Sequence, residues 1–156
     1  MKRLATVGVY EFDLDSFLAA LRDADVGLVL DVRQRRGVRG REYTWANAKR
    51  LEAALWEDGI AYMHVPELAP TTELRELQYA EDARRGEGKR SRTVLAPAYV
   101  ERFTREILGP ANLGRVLEVM PNDATTALLC VERDPEACHR SLVADALGLP
   151  TVHLRP

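Results

Sequence analysis

The sequence predicts a single α/β domain over residues 1–156, three-layered and Rossmann-like, around a mostly parallel sheet of about five strands. Three observations predict it. Short apolar, β-branched runs recur at 4–9 (LATVGV), 26–33 (VGLVLDVR) and 125–132 (TTALLCVE), as in strands buried on both faces. The first two runs are each followed by apolar residues at the helical period, which gives βαβ units and parallel pairing. The 156 residues, 46% hydrophobic and 29% charged, fit one domain that folds without disulfides or metal.

The elements follow in order. Leu14, Phe17, Leu18 and Leu21 fall at i, i+3, i+4 and i+7, and Asp13 is placed to cap their helix. Thr44 is the expected cap of a second helix through residue 58, lined by Ala48, Leu51 and Leu55 and stopped by Gly59. Residues 60–65 form the third strand. Residues 72–85 are charged and weakly amphipathic, and 84–92 (RRGEGKRSR) has no apolar residue and reads as an exposed loop. Residues 97–108 and 112–119 read as helices over the sheet, the former with Tyr99, Val100, Phe103 and Ile107 on one face. After the strand at 125–132, Asp134 and Pro135 suit the cap and first turn of a helix ending at Gly148, and 151–154 is the last strand.

The basic start meets Glu11, Asp13 and Asp15 before any signal-peptide core, and no apolar run approaches the ~20 residues of a membrane span. Cys130 and Cys138 are too few for a disulfide framework, although one bond between them stays open. A cytoplasmic protein without a membrane partner is expected.

Open α/β sheets bind ligands beyond the carboxyl ends of their strands, where strand order reverses. That rule selects Gly8 and Tyr10 after the first strand, Asp31 and Arg33 after the second, His64 and Glu67 after the third, and Glu132 after the fourth. Period-two alternation puts Asp31 with Arg33 on one face, and Cys130 with Glu132 on another. Asp31 and Glu132 suit a general acid and base, or else they pair with Arg33 and Arg140. Cys138, near a helix start and beside His139, suits a nucleophilic thiol, although helical neighbours diverge by about 100° and buried cysteine is often a small hydrophobe. Cys130, Cys138 and His139, with His64 or Glu132, are ligand types for zinc or iron, at a spacing unlike a zinc finger. An anion at the helix start would compete with Asp134, and neither GxGxxG nor GxxxxGK[ST] occurs.

The stretch LLCVERDPEACHRSLVADAL, with TVGVYEFDLDSFLAAL near the start, LVLDVR at 28–33 and GIAYMHVPEL at 59–68, resembles the bacterial and archaeal family called domain of unknown function 488. The resemblance implies a compact α/β domain with recurring residues at Asp31, Arg33, Glu67, Cys130, Glu132, Cys138, His139 and Arg140, and no established activity. The sequence departs from the family's opening, which carries His or Tyr after the first-strand glycine and Arg three residues later; here these are Val9 and Phe12.

The net charge of -2 conceals an asymmetry. RQRRGVRGR at 33–41 and RRGEGKRSR at 84–92 together hold 10 of the 22 basic residues and 1 of the 24 acidic ones. Arginine forks match phosphate oxygens, so a glycine-containing arginine loop leaving a strand end suits a phosphate clamp, with Tyr43 and Trp45 available to stack a base. The leading expectation is an enzyme-like pocket for a phosphate-bearing ligand, a nucleotide or nucleic acid, with hydrolysis or group transfer ahead of redox chemistry. Arg33, Arg35 and Arg36 would bind the ligand beside Gly8, Tyr10, His64 and Glu67. Asp31, Glu132, Cys138, His139 and Arg140 would form its reacting edge. The alternatives are a non-enzymatic nucleotide or nucleic-acid binding module, and a metal-dependent protein using Cys130, Cys138 and His139. The sequence names no cofactor and no oligomeric state.

Overall fold

A computed structural model describes residues 1–156. Its strands are β1 (Arg3–Val7), β2 (Val26–Asp31), β3 (Ala61–His64), β4 (Thr125–Leu129) and β5 (Thr151–Leu154). Its α-helices are α1 (Leu14–Asp23), α2 (Ala48–Glu57), α3 (Thr72–Arg84), α4 (Pro97–Phe103), α5 (Leu113–Val119) and α6 (His139–Leu147). A π-turn at Thr104–Leu108 extends α4, and 3₁₀ turns occupy Arg41–Ala46, Pro66–Leu68 and Pro135–Ala137.

The five strands form one sheet in the order β3-β2-β4-β1-β5, with every pairing parallel rather than most of them. β4 lies at the centre, and all five of its residues are buried, which is why it reads as a continuous apolar run. The chain steps one way from β1 to β2 to β3, then back to β4 and across to β5. Right-handed crossovers therefore place α1 and α2 on one face and α3 to α6 on the other. Aromatic contacts follow this division: Phe17 of α1 meets Trp45 at 4.9 Å, and Phe103 of α4 meets His139 of α6 at 5.4 Å.

Local chemistry explains the boundaries. Asp13 caps α1 in a reciprocal box with Ser16, whose N–H it accepts at 2.8 Å. Gly148 closes α6 at φ +69°, a conformation open to glycine without strain. Two expected caps are corrected. Thr44 lies in the 3₁₀ turn, where its hydroxyl donates to the Arg41 carbonyl, and α2 begins after Asn47. Asp134 precedes only the 3₁₀ turn at Pro135–Ala137, and α6 starts after Cys138, whose extended backbone (φ −140°, ψ 144°) keeps it outside the helix.

The predicted strands overran the sheet at their carboxyl ends. Gly8–Val9, Val32–Arg33 and 130–132 are buried like strand residues but lie past the ladder, and they build the site. Val9 and Phe12, the two departures from the expected opening, are buried in the core. No helix is long and apolar enough to cross a membrane.

Candidate functional site

Because α6 leaves the sheet on the face opposite α1 and α2, the chain after β4 parts from the chain after β1 and β2, and a cleft opens at these strand ends. The strand extensions are tied together by backbone bonds. Val9 and Tyr10 N–H both donate to the Val131 carbonyl (2.9 and 3.0 Å), and Val32 N–H donates to that of Leu129 (3.0 Å). Gly8 makes this approach possible, because a Cβ there would lie 2.0 Å from the Glu132 carbonyl oxygen. Gly8 is therefore a packing position rather than a side of the cleft.

The cleft holds about 410 Å³, within the range of small-molecule sites. Arg33, Arg35, Arg39, Arg75, Lys89 and Arg92 line it, against one carboxylate, Glu132. Cys130, Cys138 and His139 also line it, and Tyr10 contributes an aromatic wall over which the Arg90 guanidinium stacks at 4.9 Å.

The cations divide by occupation. Arg33 is fully buried: its Nε and one terminal nitrogen donate to the two Asp31 oxygens (2.9 and 2.8 Å), and the other donates to the Ala46 carbonyl (2.9 Å). Asp31 also accepts from Tyr62 Oη and from the Arg33 backbone N–H. Asp31 and Arg33 thus share a face as alternation requires, but as a satisfied ion pair that fastens β2 to the turn before α2. His64 braces the same segment by donating from Nε2 to the Arg33 carbonyl (2.9 Å), and Arg36 points to Tyr62 at 3.4 Å. Glu67 is exposed, outside the cleft. Arg35, Arg39 and Lys89 line the cleft without an acidic partner. Tyr43 packs under Tyr10, and Trp45 packs on Phe17; neither lines the cleft, which corrects their assignment as stacking residues.

Arg140 is also fully buried, and donates to the Glu132 and Arg133 carbonyls, holding the turn after β4 in shape. It does not pair with Glu132. That partner is Arg92 at 3.1 Å, which also lies 3.7 Å from Asp82. The 84–92 segment is largely exposed, as expected, with one correction: Arg92 is buried, while Lys89 faces the cleft and Arg84 and Arg85 pair with Glu81 on α3. Arg92, Asp82 and Gln78 were invisible to hydropathy, since α3 buries Leu74, Gln78 and Asp82 on one stripe that is mostly polar. Gln78 completes the arrangement by donating to Asp82 (2.8 Å) and accepting from Ala96 N–H (2.9 Å).

At the floor, His139 Nδ1 lies 3.6 Å from Cys130 Sγ and 3.9 Å from Cys138 Sγ, and Glu132 Oε2 lies 3.7 Å from Cys130 Sγ. His139 and Cys138 face one centre because Cys138 is not yet helical, so the 100° divergence of helical neighbours does not apply. Opposite Nδ1, Nε2 sits 2.7 Å from the Val32 carbonyl. A carbonyl only accepts, so Nε2 carries a proton; Cys138 Sγ is on the Nδ1 side, and Cys130 Sγ, 3.6 Å from Nδ1 and 3.9 Å from Nε2, packs against the ring between the two nitrogens.

Both cysteines are free, and the two titrate apart. Burial pushes both thiols up. At Cys130 burial prevails, reinforced by Cys138. At Cys138 the hydrogen bond with Cys130, together with the charges of His139 and Arg140, outweighs burial and holds the thiol well below its ordinary range. Burial also raises Glu132, against the pull of Lys89 and Arg92. His139 is raised because Cys138 outweighs the effect of burial.

Fold and site together define a parallel α/β protein with a basic cleft at its strand ends and a thiol–imidazole cluster beneath. The chain belongs to the family described as Domain of unknown function DUF488, whose model matches residues 13–147. The matched span contains Asp31, Arg33, Glu67, Cys130, Glu132, Cys138, His139 and Arg140; Gly8 and Tyr10 precede it. Comparison with curated proteins and with solved structures gives no match.

Proposed function

We propose that the chain is an enzyme whose cleft takes a phosphate-bearing ligand, a nucleotide or the end of a nucleic acid, and presents it to Glu132, Cys138 and His139 for hydrolysis or group transfer. One observation carries this reading: Arg35, Arg39 and Lys89, without acidic partners, converge on a concave site that ends on the thiol–imidazole cluster. Guanidinium groups bind phosphate through forked hydrogen bonds, and a confined cleft strengthens them. Arg33 contributes as the support beneath the cleft, and Arg35 and Arg39 as the ligand contacts. The concave shape favours one nucleotide-sized ligand over the coating of a duplex, whose phosphates would need a long basic track.

The test separates binding from turnover. Affinity for nucleoside triphosphates and short oligonucleotides should fall steeply with added salt, and Arg35→Ala with Arg39→Ala should weaken it at least tenfold. Glu132→Gln and Cys138→Ser should retain that binding while release of phosphate or nucleotide product is lost. Salt-insensitive or absent binding refutes the phosphate reading. Binding without turnover in any variant, wild type included, favours a non-enzymatic module.

A further inference from the structure

We infer that Cys138 and Cys130 form a reversible dithiol–disulfide pair that reduces a small hydroperoxide in the cleft, with Cys138 attacking and Cys130 resolving. Both thiols are free, and their sulfurs lie within 4.8 Å of each other. A disulfide needs about 2.0 Å between sulfurs, a shortfall that one change of χ1 rotamer covers. Both residues line the cleft, yet they are only 5% and 1% exposed. Another protein's thiol is kept away from them, while a peroxide or a small dithiol fits a space of about 410 Å³.

The surroundings assign the two roles. Glu132 gives one oxygen to Arg92 at 3.1 Å and keeps the other, Oε2, to accept from Cys130 Sγ at 3.7 Å, so Cys130 is held as a thiol. Cys138 faces positive charge instead. His139 Nδ1 lies 3.9 Å from its sulfur, and the charge of Arg140, a buried side chain whose Nε has no hydrogen-bond partner, acts on it as well. Positive charge favours the thiolate, which is the nucleophile. Because Nε2 already donates to the Val32 carbonyl, the proton that Cys138 gives up rests at Nδ1, on the side of that sulfur.

The reaction then balances within the pair. The Cys138 thiolate attacks the outer oxygen of ROOH, the O–O bond breaks, and the departing RO⁻ takes the Nδ1 proton of His139, leaving Cys138 as a sulfenic acid. The Cys130 sulfur displaces that hydroxyl, which leaves as water with the Cys130 proton, and the S–S bond forms. The peroxide has gained two electrons and become ROH and water. A small dithiol returns them through two thiol–disulfide exchanges and is itself oxidised to a disulfide. Neither Arg35 nor Arg39 takes part, so this activity does not rest on the binding of phosphate.

Hydrogen peroxide added to reduced, full-length protein, followed by dithiothreitol, tests the pair. One equivalent should remove both titratable thiols and lower the intact mass by two hydrogens without linking two chains, and dithiothreitol should restore both thiols over repeated cycles. Cys130→Ser should stop at a Cys138 sulfenic acid that dimedone traps. Cys138→Ser should consume peroxide at least about tenfold more slowly, since an ordinary thiol is only a few per cent thiolate near pH 7. Arg35→Ala with Arg39→Ala should still form the disulfide. Wild-type protein that keeps both thiols, links two chains or stops at a sulfinic acid overturns the inference, whether or not nucleotides bind. Equal peroxide consumption by wild type and Cys138→Ser overturns it too. A disulfide formed and reduced in a protein without nucleotide affinity upholds the pair and sinks the phosphate reading instead.

Discussion

Removing one half of the Asp31–Arg33 pair tests whether the end of β2 is fastened as described. Arg33→Met keeps much of the side chain's bulk but strips Asp31 of two charge-assisted hydrogen bonds in a fully buried position. Breaking a buried pair by deleting one partner costs about 3–5 kcal/mol, most of it the penalty of an uncompensated charge. Unfolding entropy near the midpoint is about 2.1 cal/mol/K per residue, or about 0.33 kcal/mol/K for this chain, so the melting temperature should drop by about 9–15 °C. Circular dichroism melts at fixed pH and salt measure this. Asp31→Leu combined with Arg33→Met removes both charges and should recover the part of the loss due to the uncompensated charge. What remains is the unpartnered Ala46 carbonyl, worth about 1–3 kcal/mol, since the Tyr62 hydroxyl keeps Arg36. Arg33→Lys should fall between, since one ammonium cannot span both carboxylate oxygens and the Ala46 carbonyl. A single Arg33→Met variant melting within about 2 °C of wild type would refute the buried, charged pair.

Three further outcomes follow. Gly8→Ala forces its methyl against the Glu132 backbone, so urea unfolding should show a loss of about 1–3 kcal/mol or more, with weakened nucleotide binding; unchanged stability would mean the strand ends part freely. Arg92→Ala leaves Glu132 and Asp82 buried without their cation, and trypsin should then cut at Lys89 or Arg90 faster than in wild type; equal cutting rates would show that Arg92 fastens nothing. In reduced protein Cys138 should alkylate before Cys130, and its rate should stay level well below the ordinary thiol range near pH 8.5, because a lowered thiol keeps its thiolate until the pH falls through the lowered value. Equal labelling of both cysteines, read by peptide mass spectrometry, would contradict the opposed shifts.

The parallel sheet was legible because β1, β2 and β4 are buried on both faces and so contain apolar runs. The strand-end rule then located the cleft before any side chain was placed. What side chains do there was less legible, because sequence does not state burial: Arg33 and Arg140 resemble ligand contacts in a string of letters, yet each points inward and is spent on protein acceptors. Arg92 was missed for the opposite reason. A glycine-rich segment without apolar residues looks solvated, and Arg92 is drawn in by Asp82 and by Glu132, the latter distant in sequence. The meeting of Cys138 with His139 depended on a delay of helix start by one 3₁₀ turn, which Asp134 and Pro135 concealed by marking a helix start at residue 135.

The central place of β4 dictates the order in which synthesis can complete the protein. β1 pairs only with β4 and β5, so Arg3 waits for Thr125, and β2 has only β3 beside it until then. A nascent chain can fasten the Asp31–Arg33 end early, but it carries unpaired strand edges until its last quarter emerges. The two cysteines and His139 all lie in that last quarter. The floor of the cleft and sheet closure therefore arrive together, and a ribosome that stalls before residue 125 releases an aggregation-prone fragment.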